Sequence, residues 1–171
     1  FFSEYVEGSS NNKALEIYNG TGAPVNMTGC VAELYANGAT TITNSLVLTA
    51  TIADGDVYVI ANASASAPIL AIADITSAVT NYNGDDAVAL RCGGALVDVV
   101  GVIGFDPGTQ WGTPPTSTLN QTLRRKGTVC QGDANGSDAF DPATEWDGFA
   151  IDDIANLGAH SSTCGSGGIT L

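Results

Sequence analysis

The chain has 171 residues, with 18 acidic and 5 basic side chains, a formal net charge of -13, and only 13% charged residues in all. So few cations cannot neutralise a row of phosphates, which excludes general nucleic-acid binding and adhesion to anionic membranes. The length fits one domain, the 44% of hydrophobic residues supplies a core, and no run reaches the ~20 apolar residues needed to span a bilayer, so membrane insertion is not expected.

Short strand-like runs begin at once. Phe1 to Val6 and Ala14 to Tyr18 flank Glu7-Gly8-Ser9-Ser10-Asn11-Asn12, a polar turn sequence, and predict a hairpin or adjacent strands. Val31 to Tyr35 is the next strand, and Asn37-Gly38 is a strong hairpin dipeptide that leads to Ser45 to Ile52. After Asp54-Gly55, Asp56 to Ala61 is apolar enough for a strand in a sandwich core.

Ser64 to Ser77 holds the one short helix expected, with Ser66 near its N-cap and Pro68 in its first turn. Asn83-Gly84-Asp85-Asp86 turns the chain into Ala87 to Cys92, and Gly93-Gly94 turns it again into Leu96 to Ile103, a tight hairpin. From Gly104 the texture is irregular. The basic cluster Arg124-Arg125-Lys126 and an Asp-, Gly- and Asn-rich loop, 133–147, both lie in this part. The architecture expected is all-β, an antiparallel β-sandwich with at most one short helix and a loop-rich C-terminal segment, with a closed barrel as the alternative. One domain, residues 1–164, is followed by a short Gly-rich tail, 165–171.

The abundance of Gly, Ala, Thr, Ser and Asn in place of Lys, Glu and Arg fits a secreted or cell-surface β protein. Four widely spaced cysteines with no CxxC pair do not suit zinc and favour two disulfides in an oxidising compartment. The pairing expected is Cys30 with Cys92 and Cys130 with Cys164, the second clipping the acidic C-terminal segment.

Taken in order, Phe2-Ser3-Glu4-Tyr5, Gly8 to Lys13, Ala14-Leu15-Glu16-Ile17-Tyr18-Asn19, Asp54 to Ala61, Asn83 to Leu90, Val97 to Gly101, Thr122 to Lys126, Glu145-Trp146 and Asn156 to His160 resemble the bacterial lamin-tail domain. The resemblance runs over about residues 1 to 160. It implies an immunoglobulin-like β-sandwich and no catalytic residues. Domains of this kind are accessory modules of secreted nucleases, phosphatases and surface proteins.

The site candidates follow from residue chemistry. The carboxylates mostly sit in turn sequences, no GxSxG elbow or phosphate loop is present, and His160 stands near a flexible-looking end, so no enzyme is expected. Asp133, Asn135, Asp138 and Asp141 place oxygens at short intervals around a glycine and are the candidate calcium ligands. Glu4 and Glu16 fall on neighbouring strands and, if inward, need partners, which Arg124 or Arg125 supply as structural ion pairs. Trp111, Trp146, Phe105, Phe140 and Phe149 are expected to form a minicore under the loops. Sequons at Asn19, Asn26 and Asn62 permit glycosylation.

The apolar ends Phe1, Phe2 and Tyr5, and Ile169 and Leu171, are candidate strand-addition segments. Through them copies of the chain would join head to tail. The function expected is a non-catalytic extracellular subunit that self-assembles into a surface layer or filament. The alternative is an accessory binding or targeting module of a secreted nuclease or other hydrolase.

Overall fold

The computed structural model describes residues 1–164. Two sheets face each other across one main core. The six-stranded sheet runs, in spatial order, β14 (Trp146–Phe149), β13 (Thr122–Arg125), β1 (Phe2–Glu7), β2 (Lys13–Tyr18), β7 (Val57–Ala61) and β8 (Ile75–Thr76). The four-stranded sheet runs β10 (Ala95–Val100), β9 (Ala87–Cys92), β4 (Cys30–Tyr35) and β5 (Asn44–Leu48). Two small ladders complete the set: β3 (Val25–Asn26) with β6 (Thr51–Ile52), and β11 (Gly112–Thr113) with β12 (Thr116–Ser117). The sandwich is therefore open, and the barrel alternative does not apply.

Pairing is antiparallel except for β7 with β8, which is parallel because the helical segment carries the chain back alongside β7. Among the described residues there are two short α-helices rather than one. The first, α1 (Ala67–Ile72), lies inside the expected window with Pro68 in its first turn, and ends where β8 begins. The second, α2 (Pro142–Glu145), starts on Pro142 behind Asp141, whose side chain accepts from the Ala143 amide. The run expected as one strand, Ser45 to Ile52, is two: β5 ends at Leu48, and β6 leaves the sheet to pair with β3.

The inner faces supply Phe2, Tyr5, Leu15, Ile17, Ile60 and Leu123 from one sheet and Leu34, Leu48, Val88, Leu90 and Val100 from the other, all essentially inaccessible. Trp146 joins this main core, while Trp111 and Phe140 pack on the outer face of β9 and β10 with Ala89 and Val99. The aromatic minicore expected as one cluster is thus divided, and Phe105 is 56% exposed. On the far side, α1 and residues around Leu157 cover Val6, Ala14, Val59 and Ala61. Gly93 and Gly94 both adopt positive φ, 58° and 84°, as the two-residue hairpin between β9 and β10 demands.

Both disulfides form as expected. Cys30 and Cys92 are direct cross-strand partners of β4 and β9, and Cys130–Cys164 ties the last described residue to the loop after β13. Among the described residues no helix is long and apolar enough to cross a membrane.

Candidate functional site

A β-bulge between Phe2 and Glu4 sets the first charged group. It lets Phe2 and Tyr5, three residues apart, both face the core while Glu4 turns to the outer face. There Glu4 stands directly between Arg124 of β13 and Glu16 of β2. Arg124 Nε donates to Glu4 Oε2 at 3.3 Å and Arg124 Nη2 to Asp153 Oδ1 at 2.6 Å, with the Phe149 ring 4.0 Å from the guanidinium.

Glu16 has no cation of its own. It accepts from Ser3 Oγ at 2.6 Å and from the Gly158 amide at 2.7 Å, so the expected ion pair is replaced by neutral donors. Burial raises both carboxyls, Glu4 to about 8. One guanidinium facing several acids charges the more exposed one: Asp153, held by the Ala155 amide and Arg124, is lowered. Glu4 Oε1 has no hydrogen-bond partner among the described residues.

Arg125 points the other way, into the sandwich. Its Nη2 donates to both oxygens of Asp98 at 2.9 Å, and Nη1 donates to Glu145 at 2.8 Å. The guanidinium lies 4.3 Å from the Trp146 ring. Asp98 also accepts from the amides of Phe2 and Asp133, at 2.6 and 2.8 Å. Arg125 thus pairs with neither Glu4 nor Glu16, and its true partner escaped sequence reasoning. The available signal was a lone carboxylate inside the apolar run Leu96-Val97-Asp98-Val99-Val100.

The four calcium candidates are not gathered into a cage. Asp133 Oδ1 accepts from the Asn135 amide, Asn135 Oδ1 from Ser137, and Asp141 Oδ1 from Ala143, each a local turn or cap bond. No group of three or more His, Cys, Asp or Glu side chains able to hold a metal ion occurs among the described residues. His160 lies between Phe1 and Tyr18, burial lowers it to about 4, and its Nε2 has no partner among the described residues. Asn19 is also spent: its Nδ2 donates to three backbone carbonyls in the interior, so that sequon offers no acceptor, whereas Asn26 is exposed.

Two of the open grooves on the described surface lie near these loops. One, of about 670 Å³, lies between Leu96 and Val97 and the loop carrying Gln131, Asp133 and Asn135. The other, of about 510 Å³, is apolar and is lined by Val102, Ile103, Phe105, Trp111 and Phe140.

Against known proteins, the sequence pattern of the Lamin Tail Domain matches residues 1–104. The chain belongs to this family. The lamin-tail family is an immunoglobulin-like, non-catalytic module, in keeping with the sandwich and with the side chains above. No curated protein and no solved structure matches the chain. The matched span is shorter than the resemblance over residues 1 to 160, and it ends soon after β10. In this lamin-tail domain β13 and β14, beyond the match, nevertheless complete the six-stranded sheet.

The N-terminal residues expected to mediate assembly are internal instead. Phe1, Phe2 and Tyr5 have no exposed surface, and β1 is paired on both sides, with β13 and β2, so they build the domain's own core rather than a free donor strand. Ile169 and Leu171 lie outside the described residues.

The edges of the lamin-tail sandwich are unequal. Beside β10 runs the loop 131–138: a side chain on Gly132 would meet Val97 O at 2.5 Å, and Ile103 donates to Gly136 O. The hairpin of β11 and β12 flanks β14, where a side chain on Gly148 would strike the Pro115 carbonyl. At the third edge, β8 is only two residues long. Only β5 is both full-length and, among the described residues, without a backbone partner on its outer side.

Proposed function

We propose that this lamin-tail protein is a non-catalytic extracellular structural subunit that associates with copies of itself, the elementary contact of a surface layer or filament. The observation that carries the reading is the open β5 edge. Natural sheets protect edges with charge, proline, bulges, brevity or cover, and three edges here are covered or very short. Strand β5 carries no charge, proline or bulge: its sequence is Asn-Ser-Leu-Val-Leu, in unbroken register with β4, and the turn at 78–80 packs against it without hydrogen-bonding to it. The buried carboxylates, by contrast, are engaged within the fold and offer no acid–base pair to a cleft. Two disulfides support a location outside the reducing cytosol.

The apolar groove at Phe105 and Trp111 favours a second reading, an accessory binding module of a secreted hydrolase that takes an extended apolar ligand or partner. The two are separated by light scattering and negative-stain microscopy of the isolated chain. Concentration-dependent growth in mass supports the structural subunit; a chain that stays monomeric leaves the accessory module.

A further inference from the structure

We propose that β5 is a homotypic contact: the β5 strands of two copies pair antiparallel about a two-fold axis, with Leu46 opposite Leu46. The inference rests on the self-association reading and deepens it by naming the surface and the register.

Charge selects a second copy as occupant. Each copy carries -13, so two copies repel wherever acidic surfaces meet. Between Glu33 and Asp54, however, residues 34–53 contain no charged side chain. This is the stretch that contains β5 and its flanks. On the solvent face of the sheet next to β5, Glu33 is already neutralised by Arg91 Nε at 2.9 Å. A basic partner would be drawn to the acidic loops instead. The uncharged edge is where like copies approach without electrostatic cost.

The strand also complements itself. It has five residues, and of the two-fold antiparallel registers only the one centred on Leu46 pairs all five, Asn44 with Leu48 and Ser45 with Val47. Val47 is 63% exposed and Ile42, just before the strand, 50%, so pairing removes apolar surface from water. Leu46 and Leu48 face the core side, Ser45 and Val47 the solvent side, and both alternations continue across the axis. Two four-stranded sheets then become one continuous sheet; this contact closes as a dimer because each copy uses its edge once, so a layer or filament would be built from such dimers through a second, different contact.

The test is sedimentation velocity of the intact chain from about 10 µM to about 1 mM, the range in which small interfaces associate, with hydrogen exchange measured at both ends. Dimer fraction is expected to rise with concentration, and amides within 44–48 to gain protection. The variants Val47→Lys and Ser45→Lys, both at exposed positions, are expected to weaken the dimer by at least about tenfold, because the two lysines meet diagonally across the axis and, at position 47, apolar contact is lost. Leu70→Lys on α1 is expected to leave it unchanged. Circular dichroism confirms that each variant is folded. Dimers that survive both β5 lysines, or that leave 44–48 unprotected, overturn the contact while self-association stands. A wild-type chain monomeric throughout overturns both. Protection of 44–48 only on adding an uncharged extended peptide assigns the edge to a foreign strand and also overturns the homotypic contact.

Discussion

Asp98 and Arg125 form a pair in which the single Nη2 donates to both carboxylate oxygens at 2.9 Å, joining β10 of one sheet to β13 of the other with neither side chain exposed. Asp98 also holds the amides of Phe2 and Asp133, so the start of β1 and the C-terminal loop hang on the same carboxylate. Removing Asp98 leaves the buried guanidinium with the half-exposed Glu145 alone and takes the acceptor from two amides, while removing Arg125 leaves a buried carboxylate with no cation. Asp98→Ala is expected to lower unfolding stability by about 3–5 kcal/mol, a fall of about 10 °C or more in Tm for a chain of this size. The double variant Asp98→Ala/Arg125→Met is expected to recover part of the loss, since no lone charge remains. Thermal and denaturant unfolding of the singles and the double measure the coupling.

Glu4 gives stability a pH dependence of unusual sign. Burial raises its carboxyl from the ordinary 4.5 to about 8. Between those values the folded chain binds more protons than the unfolded one, so stability falls as pH rises from about 4.5 towards 8 and levels off above it. Glu16, raised for the same reason, adds to the slope. Glu4→Gln is expected to flatten the curve: close to wild type near pH 4, more stable than wild type above pH 8. Denaturant midpoints across that range test the prediction, and a Glu4→Gln variant that weakens with rising pH as wild type does would contradict the assignment.

The two disulfides close loops of different kinds. Cys30–Cys92 links strands already hydrogen-bonded, whereas Cys130–Cys164 holds a segment with little regular structure across the start of β1. Loop-closure entropy alone assigns about 4 kcal/mol to each. Non-reducing peptide mapping is expected to recover these two pairs. Loss of Cys130–Cys164 by double serine substitution is expected to make residues after Lys126 the first site of proteolysis, with the two sheets still cooperative.

Much of this was legible in the chain. Period-two patterns and the turns at Asn37-Gly38 and Gly93-Gly94 located most strands, and register then follows from which face is apolar. What local pattern does not carry is whether a strand has one neighbour or two. Phe1 and Phe2 therefore read as free ends, although β1 is central, and β5 read as an ordinary strand, although it is an open edge. The partner of Arg125 lies 27 residues away in another sheet, a distance no motif spans. The bulge at Ser3, which turns Glu4 outward, has no sequence mark without glycine.

The acidic loop offers a test in which turn chemistry and cation binding predict opposite results. Asp141 caps α2 by accepting from the Ala143 amide at 3.0 Å, and Asp133 is occupied by the Asn135 amide at 2.9 Å. A calcium ion needs six to eight oxygens and would have to compete with these backbone donors. Asp141→Ala is expected to cost about 1 kcal/mol, the usual loss of an N-cap, and by the same amount in calcium and in chelator. Wild-type Tm is expected not to move between the two conditions, since a ligand raises the midpoint only if it binds the folded chain. A calcium-dependent rise that disappears in Asp141→Ala would show that the loop rearranges to gather its oxygens around the ion.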